Sequence, residues 1–104
     1  MHDARRPYEF DPAKATANLR KHGVSFDDGY RVLLQDEDRL WQFLDDRHQD
    51  GEDRWIVIGP LPDQPHTLLH VTWTERPTGV RIISVRRTTP AERRDYEHRH
   101  RRPR

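Results

Sequence analysis

Beyond Asp38 the apolar residues of this 104-residue chain change their period, and that switch limits the folds open to it. Before it they recur every three or four positions; after it they alternate or gather in short β-branched blocks. A chain that opens on helices and continues as strands is expected to build an α+β domain, with helices packed against one antiparallel sheet. The helical part is clearly punctuated. Asp11 before Pro12 is a helix start, and Lys21, His22 and Gly23 form a helix end, so a helix is expected over 12–22 with Ala15 and Leu19 on one face. Ser25 with Asp28 opens a second helix, in which Phe26, Tyr30, Leu33 and Leu34 keep helical spacing and Gly29 costs about 1 kcal/mol. Ahead of both, Tyr8-Glu9-Phe10-Asp11 reads as a short strand.

The later part reads as four strands, over 40–44, 55–58, 67–74 and 80–87. An acidic stretch over 45–53 separates the first two, and 59–65, with three prolines, reads as a connection. The last strand is expected at the sheet centre because its middle, Ile82-Ile83, is apolar. Thr89-Pro90-Ala91-Glu92 is a capping box that opens a final helix to about His100. The expected order is β-α-α-β-β-β-β-α. Residues 8–97 are expected to form one domain between a flexible 1–7 and a basic tail over 98–104.

Composition bounds the chemistry. With 32% hydrophobic and 36% charged residues, the chain has material for one small core. There is no cysteine, so neither a disulfide nor a thiolate is available, which suits a reducing cytoplasm. No run approaches the ~18 apolar residues of a membrane span, so no membrane association is expected. The net charge of +1 conceals a polarised chain: 27–54 holds ten acidic residues against four arginines, and 76–104 holds ten arginines against three acidic residues. Lys14 and Lys21 are the only lysines. Guanidinium groups grip phosphate through two parallel hydrogen bonds, so the clustered arginines point to an anionic partner such as nucleic acid. The histidines include no His-Glu-x-x-His pair, and His98 and His100 lie among arginines that repel cations, so neither a metal site nor a cofactor is expected.

Three blocks carry a resemblance. Glu9-Phe10-Asp11-Pro12-Ala13-Lys14-Ala15 through Asn18-Leu19-Arg20-Lys21-His22-Gly23-Val24-Ser25-Phe26, then Gly51-Glu52-Asp53-Arg54, then Ile82-Ile83-Ser84-Val85-Arg86-Arg87 with Glu92-Arg93-Arg94-Asp95-Tyr96-Glu97 stand in the order of the BrnT toxins. The chain resembles that family over about 8–97. Phe10 replaces a usual Trp, Val85 a usual small residue, and 35–49 matches weakly. The resemblance implies a RelE-like fold, RNA cleavage that arrests translation and growth, and neutralisation by a BrnA-like antitoxin. It also implies operator DNA binding through the toxin–antitoxin complex alone.

A metal-independent ribonuclease needs a base for the RNA 2′-hydroxyl, cations for the phosphorane charge and an acid for the leaving oxygen. Arg86 and Arg87 end a strand, and strict alternation puts Arg86 with Ser84 and Arg87 with Arg81, favouring Arg81 and Arg87 for phosphate contact. Arg86 is kept as a candidate because strand ends often twist or bulge. His22 is the first choice of base, although its place at a helix end also suits a capping role. Glu52 and Asp53 are alternative bases and Arg54 an alternative cation. Lys14, Lys21, Arg93 and Tyr96 are candidate RNA contacts, Tyr96 by stacking, proton donation or plain packing. An acidic face of the antitoxin is expected to cover Arg81, Arg86 and Arg87. Two other classes compete: a helix-turn-helix DNA-binding or regulatory module over 12–34, disfavoured by Asp27 and Asp28 at its second helix, and a pure interaction protein using the basic tail.

Overall fold

The computed structural model describes residues 8–47 and 52–100; the expected flexible start, Gly51 and the tail beyond His100 lie outside them. The order is α1 (Pro12–His22), α2 (Phe26–Leu33), a 3-10 turn (Glu37–Arg39), β1 (Trp41–Leu44), β2 (Trp55–Leu61), β3 (Gln64–Arg76), β4 (Gly79–Arg87) and α3 (Pro90–His100). This is the α+β architecture expected, with one antiparallel sheet ordered β1-β2-β3-β4.

The helix signals act as physical chemistry requires. Asp11 accepts from the Ala13 and Lys14 amides, and Gly23 closes α1 at φ 72°, a left-handed conformation that glycine adopts without steric cost. Ser25 accepts from the Asp28 amide at the start of α2. Thr89 and Glu92 exchange both bonds of the capping box before α3. The leading strand shrinks to a single parallel bridge between Glu9 and Arg81, with Tyr8 tilted against Tyr30 and Phe10 edge-on to Phe26.

Two expectations about the strands need correction. The stretch 59–65 is a tight hairpin: β2 runs through Pro60 to Leu61, and β3 starts at Gln64. The prolines fit because the register shifts after Pro60, which leaves Pro65 without a ladder partner in β2. The second correction concerns β4, which is an edge strand. Its outer edge is occupied by chain ends and side chains instead of a strand. Glu9 exchanges backbone bonds with Val80 and Ile82, and the buried Asn18 amide accepts from the Val85 N–H at 3.1 Å and donates to its carbonyl at 2.8 Å. Asn18 also donates to the Val24 carbonyl, so one side chain joins α1, the α1–α2 turn and the sheet.

One sheet face carries the main core. Val57, Leu69, Val71, Ile82 and Val85 pack against Val24, Phe26 and Val32. Gly29 permits the close approach of α2, since a Cβ there would lie 2.4 Å from a Val85 methyl. The glycine that weakens α2 as a helix therefore makes room for the Val85 side chain. Phe26, Gly29, Tyr30 and Val32 are the buried residues of α2, so its inner face is committed to the sheet. On the other face α3, which has no buried residue of its own, crosses one end of the sheet, from Arg86 to Trp41.

Candidate active site

A bulge in β4 decides where its two terminal arginines point. The register pairs Thr74 with Arg81, Trp73 with Ile82, Thr72 with Ser84, Val71 with Val85, His70 with Arg86 and Leu69 with Arg87, leaving Ile83 as the extra residue. Directly opposed residues share a face. Arg81, Ser84 and Arg86 therefore lie with Thr74, Thr72 and His70, whereas Arg87 lies on the helix side with Leu69 and Val85. Strict alternation pairs Arg81 with Arg87; one extra residue reverses that assignment. Arg81 and Arg86 still do not form one site, since they stand near opposite ends of β4, roughly 15 Å apart, and Arg81 lies 3.8 Å from Glu9.

On the α3 side, Arg86 grips Glu92 with two parallel bonds of 2.8 and 2.9 Å. That bidentate pair, aided by the Thr89 amide, holds the Glu92 carboxyl down to about 2. Beside it stands His70, whose Nε2 is 3.9 Å from Glu92 and whose Nδ1 is buried without a hydrogen-bond partner. Burial lowers the His70 pKa below 6.5, Arg86 adds to the effect, and Glu92 opposes it. The imidazole is thus neutral at neutral pH and keeps a free polar atom, a costly arrangement for structure alone. These groups line an open groove of about 370 Å³ that continues over Phe43 and Ile56 to the turn at Asp45–Arg47.

On the helix side, Arg87 reaches the C-terminal turn of α1 and donates to the His22 carbonyl at 3.4 Å. Among the described residues no carboxylate pairs with it. Lys14 and Lys21 flank Asn18 on the same face of α1 and are exposed, so the Arg87 side of the strand end carries uncompensated positive charge.

The remaining expected site residues are held elsewhere. Glu52 pairs with Arg76 at 3.0 Å, at the end of the sheet away from Arg86 and Arg87. Arg54 accepts a backbone bond from Asp45, at the outer end of the groove. Arg93 donates to the His66 carbonyl at 2.7 Å, and Tyr96 donates to the Arg39 carbonyl at 2.6 Å while stacking on His100. The first fastens α3 to the start of β3, the second to the 3-10 turn before β1. His70 was not a candidate from sequence; the available signal is a titratable residue inside the apolar run Leu68-Leu69-His70-Val71.

Among the described residues no three His, Asp or Glu side chains converge as a metal site requires, and no helix is long and apolar enough to cross a membrane. A comparison with curated protein sequences finds no match. A family model described as ribonuclease toxin, BrnT, of type II toxin–antitoxin system matches residues 10–92. That span holds both helices on the core face, the whole sheet and the His70, Arg86 and Glu92 cluster, and the chain belongs to the BrnT family of ribonuclease toxins.

Proposed function

We propose that this chain is a metal-independent endoribonuclease whose active centre is the groove at the end of β4. The observation that carries this reading is the desolvated, neutral His70, paired across the strands with Arg86 and with Nε2 3.9 Å from Glu92, in an open groove. Nδ1 is buried out of reach of RNA and keeps the proton, which leaves the Nε2 lone pair, 3.9 Å from Glu92, for chemistry. His70 takes the 2′-hydroxyl proton, the 2′-oxygen bonds to phosphorus, and the bond to the 5′-oxygen breaks as that oxygen takes a proton from water. Arg86 stabilises the phosphorane by exchanging Glu92 for phosphate oxygens. Arg87, with Lys21 and Lys14, holds the neighbouring stretch of backbone on the other side of the strand end.

A BrnA-like antitoxin would neutralise the enzyme by presenting carboxylates to Arg86 and Arg87, replacing Glu92 as the anionic partner. Binding of operator DNA would belong to the toxin–antitoxin complex, since the inner face of α2 is committed to the sheet and its first turn carries Asp27 and Asp28. The test is to incubate the purified protein with a defined RNA in EDTA. Products ending in 2′,3′-cyclic phosphate support the mechanism, and a requirement for Mg²⁺ overturns it. His22 is a second candidate base because its backbone meets Arg87. Loss of cleavage in His22→Ala, with cleavage retained in His70→Gln, would move the centre to that side.

A further inference from the structure

The groove extends away from the reaction centre, and its outer end has the makings of a nucleobase pocket. Phe43 and the nearly inaccessible Ile56 form an apolar wall, and Phe43 leans on Trp41 with ring centroids 4.9 Å apart. An aromatic face beside cations is a usual platform for an unstacked RNA base. Next to this wall the groove is closed by Asp45, a carboxylate only 8% exposed. A buried carboxylate requires donors, and Arg47 is one source of them: its backbone N–H reaches Oδ1 at 3.3 Å, and its side chain adds a planar fork, Nε to Oδ1 at 2.9 Å and Nη2 to Oδ2 at 3.3 Å. The Arg47 side chain is 77% exposed, so its hold is screened by solvent and readily exchanged.

We propose that Asp45 and Phe43 form a guanine-selective subsite of the ribonuclease groove, in which the base takes the place of the Arg47 fork. Guanine alone among the four bases offers two adjacent donors, N1–H and the N2 amino group, in the plane that suits both carboxylate oxygens. Adenine sets an acceptor beside its amino group, cytosine does the same, and uracil flanks its N3–H with carbonyls, so each brings a lone pair against Asp45. The stacking wall and the carboxylate lie in the same groove as His70 and Arg86, which places the recognised nucleotide next to the cleaved bond. This inference rests on the ribonuclease reading above, and its test separates the two.

RNA oligonucleotides identical except at one position are cleaved by the purified protein, with inosine as a fifth base because it lacks the N2 amino donor. Binding of GMP, AMP, CMP and UMP is measured alongside by calorimetry. We expect cleavage next to guanine to exceed the others by about ten- to hundred-fold, and inosine to lose most of that advantage. Asp45→Asn should collapse the ratio of guanine to adenine cleavage, and Arg47→Ala should raise GMP affinity severalfold by removing the competing fork. A gain of affinity cannot arise from misfolding. Active enzyme that cuts all four bases equally, or a guanine preference that survives both inosine and Asp45→Asn, overturns the subsite. Selective GMP binding without cleavage of any RNA overturns the ribonuclease reading and keeps the subsite; no base selectivity in either measurement overturns the subsite whatever the activity.

Discussion

The two faces of the sheet are buried to similar extents by different means. The face under α1 and α2 is lined by Val57, Leu69, Val71, Ile82 and Val85, which meet aliphatic and aromatic partners. The face under α3 mixes Ile56 and Ile58 with His70, Thr72 and Thr74, all of them buried. On the first face the buried sheet residues are apolar and close-packed and the buried Asn18 amide is hydrogen-bonded, so burial stabilises the fold. On the second, a desolvated imidazole keeps an unpartnered nitrogen and a bidentate ion pair borders open space, which costs stability and leaves groups ready to react. The small core lies on one side of a single sheet, and the desolvated imidazole and the Arg86–Glu92 pair lie on the other.

The sharpest way to break this comparison is His70→Leu. If the face serves catalysis, RNA cleavage should fall by about 10²–10⁴-fold, while thermal stability holds or rises because an unsatisfied polar group is replaced by an apolar one. A loss of melting temperature with activity unchanged would make His70 a structural residue. On the other face the equivalent test is Asn18→Ala, which leaves the Val85 N–H and the Val85 and Val24 carbonyls without their partner. We expect a destabilisation of about 2–3 kcal/mol in urea unfolding, and a change below half that would mean water replaces the amide.

The response to pH reports on the α3 face, to which His70 and Glu92 both belong. The folded-state pKa of His70 is lowered, so the unfolded chain binds its proton more readily. Its contribution to stability is present above 6.5 and is lost as pH falls through the lower folded value. Glu92 is depressed from 4.5 to about 2, so its contribution is present above 4.5 and is lost as pH falls toward 2. Cleavage should rise with pH through the His70 value and then level, and the acid loss of stability near neutrality should vanish in His70→Leu. An activity profile with its acid limb above pH 7 would assign the base to another group. The smallest expected effect is that of Arg99→Ala. Arg99 sits 4.2 Å over the Trp41 ring, and removing that contact should cost about 0.5–1 kcal/mol, read as a small shift in midpoint.

The legibility of the sequence follows the same division. Helix starts and stops were readable because caps are local: Asp11, Gly23, Ser25, Thr89 and Glu92 act within a few residues of themselves. The strands were readable from β-branched runs, as was the α+β class. What escaped depends on long-range pairing. The bulge at Ile83 exists because β3 and β4 pair with an offset, and no local residue announces it. Edge placement of β4 depends on Asn18, 67 residues away, standing where a strand would. Of the expected site residues, Arg86 and Arg87 stand on opposite faces of one end of the sheet, Arg87 against the His22 carbonyl, and Glu52 and Arg81 are held by ion pairs at the other end. His70 escaped because an alternating strand reads the same whether an interior position holds an inert side chain or a reactive one.

The closed edge of β4 has a consequence for solubility. A strand edge with bare amides and carbonyls invites a second chain to extend the sheet, and that is a common start of aggregation. Here Glu9 saturates the first half of the outer edge of β4 and the Asn18 side chain the second, while the opposite edge, β1, is only four residues long. The sheet therefore offers little template to another copy of itself. A protein with so small a core spends part of its time open, and with its longest free edge stopped by a side chain, brief opening need not become assembly.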